Sequence, residues 1–317
     1  MQDQHSQNIT HVLISGGGGL IGKYLTSLLL AEGYRVSHLS RNQDQFGKVR
    51  VYRWDPSKGI LAPSVVDGVD YIVHLAGVNI GEGRWTKSRK NEIIRSRVES
   101  ADLIRKVVSE NKIPIRAFIT ASGINYYGTT TSEKVFCETD LPGTDFPATV
   151  CKSWEEAADR FSKEGIRTVK LRTAVVLDKD KGALPRLILP TRYGILAIPG
   201  SGNQFLPWIH INDLCRIYLK AIQNSNMAGV YNAVAPHHVT NFEFLRTVDE
   251  ILNRRLIKIR VPAIFLEIFF GKMSSLILEG SRVSPEKIKN AGYRFEFDNL
   301  HNALTDIISP RSASQQP

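Results

Sequence analysis

His11-Val12-Leu13-Ile14-Ser15 runs directly into Gly16-Gly17-Gly18-Gly19-Leu20-Ile21-Gly22-Lys23-Tyr24-Leu25, and this stretch, residues 11–25, decides the fold. A short apolar run, a glycine turn and an amphipathic helix ending at Gly33 follow one another. That order lets a dinucleotide pyrophosphate sit on a helix N-terminus, because glycines permit the tight turn and the close approach of backbone N–H groups. Gly16, Gly19, Leu20, Ile21 and Gly22 are the candidate contacts. A rival reading is the triphosphate loop G-x-x-x-x-G-K-[ST], which Gly17 to Tyr24 matches except at its last position. Tyr24 lacks the small hydroxyl that would ligate magnesium there, so the dinucleotide reading is preferred.

Outward from this stretch, short apolar runs alternate with helical ones. Strands are expected at His11 to Ser15, Arg35 to Leu39, Val49 to Trp54, Tyr71 to Leu75, Ala117 to Thr120 and Thr168 to Thr173. Helices are expected at Leu20 to Glu32, Thr86 to Asn111 and Ala148 to Glu164. The alternation predicts an α/β fold, a doubly wound parallel (Rossmann) sheet with its ligand crevice beyond the carboxyl ends of the strands. After Leu177 a Gly/Pro-punctuated stretch precedes a strand-like Trp208 to Ile211 and a helical Asp213 to Gln223. Helical signals then dominate from Pro262 to Ile308, with Ser284-Pro285-Glu286 as one helix start. The expected organisation is a dinucleotide-binding domain over 9–178 with part of 207–235, a smaller C-terminal α/β substrate lobe over 179–308, and a disordered tail at 309–317.

With 317 residues, 24 glycines and 14 prolines, the composition excludes collagen-like and wholly disordered chains. Three scattered cysteines make neither a disulfide framework nor a zinc cluster, and the eight histidines show no ligand spacing, so no metal is expected. The start of the chain has no secretory pattern. The longest apolar stretch, Ala263 to Phe270, is interrupted by Glu267 and is far short of the roughly 20 residues of a span. A cytoplasmic location without a membrane partner is expected. The net charge of +10 is scattered, without the patterning of a nucleic-acid face, so no nucleic-acid partner is expected.

At the end of the second strand, about 20 residues past the glycines, an NAD site would carry a carboxylate for the ribose. Ser40-Arg41-Asn42 stand there instead. A guanidinium pairs with a 2′-phosphate that a carboxylate would repel, so the expected cofactor is NADP(H). The plainer reading leaves Arg41 in solvent.

In these features the chain resembles the extended short-chain dehydrogenase/reductases. The resemblance rests on Gly16, Gly19 and Gly22, His74-Leu75-Ala76-Gly77, Thr120-Ala121-Ser122, Leu171-Arg172-Thr173 and Trp208 to Asp213. More narrowly, Gly77-Val78-Asn79-Ile80, Arg84-Trp85, Ser96-Arg97-Val98-Glu99, Tyr126-Tyr127-Gly128, Gly182 to Pro185 and Leu278-Glu279-Gly280 resemble its atypical "epimerase family" or nucleoside-diphosphate-sugar epimerase-like branch. The resemblance implies that Ser40 and Arg41 hold the 2′-phosphate, that Trp54 and Asp55 flank the adenine, and that Leu75, Ala76 and Gly77 border the ribose. It also implies that Glu92 and Arg97 approach the cofactor and that Val175 lies near the nicotinamide end. A surface ion pair for Glu92 and a core contact for Val175 remain open.

The chain departs from the superfamily in its chemistry. Working members use a Tyr with a Lys four residues later, and none of the ten tyrosines here has that partner. The alignment puts Pro147 and Cys151 in those places, with Lys152 about 100° away around the helix. Ser122 and Tyr127, or Tyr126, are the candidate catalytic hydroxyls; a packed, hydrogen-bonded tyrosine pair and an inert buried Cys151 are the alternatives. His210 reads as a structural or pocket-rim residue. Arg186, Arg192, Asn203, Gln204, Phe205 and Trp208 are expected to roof a small-molecule pocket, or else to be ordinary surface groups. Two functions are expected: an NADP(H)-dependent epimerase-like oxidoreductase or isomerase of unknown substrate, and a non-enzymatic NADP(H) sensor. Oligomeric state is not legible.

Overall fold

The structure is a computed structural model and describes residues 9–41, 47 and 49–308. The expected tail at 309–317 lies outside the described residues. In chain order the first strands are β1 (His11–Ser15), β2 (Arg35–Ser40), β3 (Arg50–Arg53), β4 (Tyr71–His74), β5 (Ala117–Gly123), β6 (Val135–Phe136) and β7 (Thr168–Thr173). They are followed by β8 (Val175–Leu177), β9 (Ile195–Pro199), β10 (Trp208–His210), β11 (Gly229–Ala233), β12 (Ile257–Val261) and β13 (Arg282–Val283). The long helices are α1 (Leu20–Ala31), α2 (Lys87–Glu110), α3 (Phe146–Lys163), α5 (Ile211–Gln223) and α6 (Asn241–Leu252). The short ones are α4 (Leu184–Ile188), α7 (Ala263–Phe270), α8 (Ser275–Leu278), α9 (Glu286–Asn290) and α10 (Leu300–Ile308).

β1 is buried along its length, as a strand covered on both faces must be. It belongs to a parallel seven-stranded sheet of order β3-β2-β1-β4-β5-β7-β11. Chain order reverses between β1 and β4, so the turns leaving those two strands diverge and open a crevice beyond their carboxyl ends. One face buries Leu25 and Leu29 of α1 against Leu214 and Tyr218 of α5, and the other buries Ile104 and Val107 of α2 against Ala157 and Phe161 of α3. A third cluster, with Leu196, Trp208, Phe244 and Leu304, holds together β8, β9, β10, α6 and α10. Its parallel pairs are β8 with β10 and β9 with β12, while β6 pairs with β13.

Differences from the sequence expectations have local causes. β5 continues to Gly123 because Ala121, Ser122 and Gly123 ladder with Leu171, Arg172 and Thr173. α3 starts at Phe146, two residues early, because the Asp145 carboxylate accepts the Ala148 N–H at 2.9 Å and Pro147 sits in the first turn. The helical reading of Pro262 to Ile308 holds for α7 to α10 but is broken by β13.

Candidate functional site

The glycine turn is shaped by what a side chain would strike. Gly16 has φ +78°, and a β-carbon there would lie 3.0 Å from the Leu75 and Ala76 backbone. At Gly22 it would lie 2.5 Å from the Gly16 carbonyl oxygen, and at Gly17 2.4 Å from the His38 ring. Gly19 is the N-cap of α1 and carries no side chain to cap it, so no side chain competes with a ligand for the first-turn N–H groups. Leu20 and Ile21 follow in that turn, partly buried against the sheet.

Sequence reasoning missed His38, whose imidazole supports the turn from beneath. The single Thr26 hydroxyl proton goes to the Gly22 carbonyl at 2.6 Å, so His38 Nε2 must donate to Thr26 Oγ1 at 2.8 Å. Burial lowers the His38 pKa to about 4, which keeps the ring neutral. Tyr24, the residue that argues against a triphosphate loop, is tied to Asp178 instead, and desolvation with that bond raises its pKa to about 12.

At the end of β2, Ser40 accepts the Trp54 N–H at 3.1 Å through its carbonyl, and Arg41 is exposed beyond it. Asn42 lies outside the described residues. Trp54 is buried, and Asp55 caps a short turn by accepting Ser57 N–H at 3.1 Å. The Gly16 N–H reaches the Leu39 carbonyl at 3.4 Å, which puts the end of β2 beside the glycine turn.

Leu75, Ala76 and Gly77 leave β4 facing Gly16, and α2 holds the chain that follows. Ser96 Oγ accepts the Val78 N–H at 3.1 Å and Arg97 Nη1 donates to the Val78 carbonyl at 2.9 Å. A β-carbon at Gly77 would be 3.0 Å from Arg97 Cζ. Arg97 is buried over the Trp154 ring, and desolvation lowers its pKa to about 10, so it stays charged. Glu92 accepts from Arg89 at 2.9 Å on the half-exposed face of the helix, and Arg89 also donates to the Asn79 carbonyl at 3.1 Å. Val175 starts β8 and packs against the third cluster, its N–H on the Pro207 carbonyl at 3.0 Å.

The two candidate hydroxyls belong to one buried network. Ser122 and Arg172 are neighbours on β5 and β7, and Glu155 of α3 lies over both. Glu155 accepts Ser122 Oγ at 2.8 Å and both Nε and Nη2 of Arg172, at 2.8 and 2.9 Å. Arg172 Nη1 reaches the Tyr127 hydroxyl at 2.9 Å, and that hydroxyl donates to Asn232 at 2.8 Å. The Arg172 guanidinium also stacks 3.3 Å from the Tyr126 ring centre. Burial raises the Tyr127 pKa, with Arg172 opposing. One turn before Glu155, burial pushes the Cys151 thiol up to about 12, so it is protonated. Lys152 faces outward, 3.9 Å from Glu156. Thus Pro147, Cys151 and Glu155, four residues apart, form the inner face of α3.

The expected pocket roof divides. Trp208 is fully buried with its indole N–H on the His237 carbonyl at 3.1 Å, and Gln204 is buried on the Pro199 and Ile277 carbonyls, each at 3.0 Å. These two are interior supports and not a roof. Phe205 is held by Gly280, where any β-carbon would collide with the Phe205 carbonyl. Arg192 and Asn203 are exposed, and Arg186 lies 3.5 Å from Glu82 of the loop after β4. His210 caps α5 by accepting the Asn212 N–H at 3.2 Å and stacks on Phe297, a structural placement.

Residues 12–233, the span from β1 to β11, match the NAD dependent epimerase/dehydratase family. The chain belongs to that family. Residues 261–307 match a domain of unknown function, DUF1731, which contains α7 to α9 and most of α10. Human epimerase family protein SDR39U1 is 36% identical over 303 residues, covering 94% of this chain and 99% of that protein. The Bacillus subtilis epimerase family protein YfhF is 33% identical, covering 95% and 99%. The crystal structure of the human protein (isoform 2) with NADPH matches with a TM-score of 0.84 at 34% identity, covering 95% of this chain and 100% of that one. A nucleoside-diphosphate sugar epimerase from Corynebacterium glutamicum matches with a TM-score of 0.74 at 28% identity, covering 95% of this chain and 58% of the other. Within this epimerase/dehydratase chain, the grip of Ser96 and Arg97 on Val78 gives the physical reason why those separated motifs occur together.

Proposed function

We propose that this chain binds NADP(H) and acts as an epimerase-like oxidoreductase or isomerase on a small-molecule substrate of the nucleoside-diphosphate-sugar class. The observation that carries the cofactor half is the turn in which Gly16, Gly17 and Gly22 have no room for a β-carbon, beneath a helix N-terminus without a side-chain cap. Gly16, Gly19, Leu20, Ile21 and Gly22 would receive the pyrophosphate. Ser40 and Arg41, with Asn42, would take the 2′-phosphate, Trp54 and Asp55 the adenine side, and Leu75 to Gly77 the ribose. Arg97 would act by bracing the Gly77 turn, Glu92 through its neighbour Arg89, and Val175 by bordering the nicotinamide. The bound cofactor would supply or accept hydride. The substrate class is suggested by the Corynebacterium relative.

The second reading, an NADP(H) sensor without turnover, is favoured by the commitment of the Ser122 and Tyr127 hydroxyl protons to Glu155 and Asn232. Ser122→Ala and Tyr127→Phe separate the two: an enzyme loses turnover, whereas a sensor keeps cofactor affinity and has no turnover to lose. The first test is calorimetric titration with NADPH and NADH. Tight NADPH binding, weakened by about 1–3 kcal/mol in Arg41→Ala while NADH affinity stays unchanged, is the expected outcome for a charge-assisted contact. Equal affinities for both nucleotides would refute the 2′-phosphate role of Arg41.

A further inference from the structure

Helix α7 is apolar and unsheltered. None of its residues is buried, and Ile264, Phe265, Ile268 and Phe269 are 56, 53, 59 and 70% exposed. These four stand at i, i+1, i+4 and i+5, so they share one stripe of the helix. The strand leading into it, β12, exposes Ile257 and Ile259 and pairs only with β9 among the described residues. Along the chain on either side of the stripe, Arg254, Arg255, Lys258, Arg260 and Lys272 are exposed, and within residues 254–272 Glu267 is the one carboxylate. Arg254, Arg255, Arg260 and Lys272 make no salt bridge among the described residues, and Lys258 lies 3.4 Å from Asp249. The C-terminal end of α7 is tethered, because Arg84 Nη2 donates to the Ile268 carbonyl at 2.8 Å and approaches that of Phe269 at 3.3 Å. Arg84 lies in the loop after β4, so the apolar stripe is joined to the border of the crevice.

We propose that α7 and its basic flanks form a docking surface for an anionic phospholipid bilayer. Ile and Phe side chains enter the boundary between headgroups and acyl chains, while the surrounding arginines and lysines meet lipid phosphates. Eight residues are far too short to cross a bilayer, so the helix lies at the surface. No helix among the described residues is long and apolar enough to cross a membrane. The expectation of no membrane partner rested on the lack of such a span, and it is set aside for a helix lying at the surface. Charge decides between a bilayer and a second copy of the chain: a two-fold contact here would bring two sets of unpaired cations together, and Lys258 and Arg260 on the free edge of β12 oppose strand pairing. This proposal is independent of the cofactor reading.

The test is co-sedimentation of the full chain with phosphatidylcholine vesicles and with vesicles in which a quarter of the lipid is phosphatidylglycerol. Partitioning at least about tenfold stronger onto the anionic vesicles is expected. It should fall about tenfold in Phe265→Ser/Phe269→Ser and in Arg254→Glu/Arg255→Glu. Both variants change exposed side chains, and an unchanged melting temperature confirms that they fold. No vesicle binding overturns the proposal. So does anionic binding that survives the Phe pair, which would reflect net charge alone. A dimer in sedimentation velocity that the Phe pair dissociates assigns the face to a second copy and also overturns it.

Discussion

A β-carbon at residue 17 would sit inside the contact radius of the His38 ring, and His38 is itself held by Thr26. Gly17→Ala is therefore expected to destabilise the fold by about 1–3 kcal/mol, as overpacking does, and to weaken NADPH binding by moving the turn. At Gly18 the same β-carbon meets no protein atom within 4 Å. Gly18→Ala should leave the melting temperature unchanged, and a loss of NADPH affinity there without a loss of stability would place the ligand in that space. Calorimetry and thermal melts read both. The Glu155–Arg172 pair makes a second residue-scale prediction. Removing one partner of a buried ion pair typically costs about 3–5 kcal/mol, and replacing both with apolar groups costs much less. Glu155→Leu should fall in that range in denaturant titration, and Glu155→Leu/Arg172→Leu should recover most of the loss. The glycines were legible because the turn demands them in one dimension. The ion pair was not, although a charge inside an expected core strand and another on the inner face of an expected helix were a usable signal.

The elements of the large sheet were legible wherever periodicity and flanking caps agreed. Thr86 caps α2 and Asn111 ends it, as their residue types suggest. The strands β8, β9 and β12 were hidden because strands of three to five residues in two-stranded pairs take their stability from tertiary partners, and β9 also lies in the Gly/Pro-punctuated stretch. Polar residues inside the sheet were also hidden, and they impose a pH dependence. The Ser100 hydroxyl proton goes to the Ser96 carbonyl at 2.7 Å, so His74 Nε2 donates to Ser100 Oγ at 3.2 Å and Nδ1 accepts from Ser15 at 2.6 Å. Burial lowers its pKa to about 3 and that of His38 to about 4. Both rings are neutral when folded, and an unfolded chain takes up their protons near the ordinary value of 6.5. Their contribution is complete above pH 6.5 and falls as the pH drops toward 4 and 3. Denaturant titrations should lose roughly 1 kcal/mol per histidine per pH unit below 6.5. His38→Gln should show a shallower decline; an unchanged slope would contradict the neutral buried ring.

For the whole molecule, the decisive residue is one that no motif marks as chemical. Asp213, in the first turn of α5, is fully buried. It accepts the Tyr293 hydroxyl at 2.6 Å, the Glu296 N–H at 2.9 Å and the Phe297 N–H at 3.0 Å. Those three donors lie in the segment joining α9 to α10, so one carboxylate fastens the chain's last helices to a helix that packs on the large sheet. Phe297 in turn stacks on His210 at the start of α5, and α10 buries Leu300, Ala303, Leu304 and Ile307 in the third cluster. Asp213→Ala strands two backbone N–H groups, each costing about 1–3 kcal/mol, and leaves the Tyr293 hydroxyl with the residue-213 carbonyl at 3.1 Å as its acceptor. The expected result is a destabilisation of several kcal/mol, with limited proteolysis cutting first near residues 293–299 while the seven-stranded sheet stays protected. Tyr293→Phe removes one of the three bonds and should produce a smaller change of the same kind. Cleavage spread evenly along the Asp213→Ala chain would show instead that the sheet and the C-terminal helices unfold as one cooperative unit, and that the carboxylate fastens nothing locally.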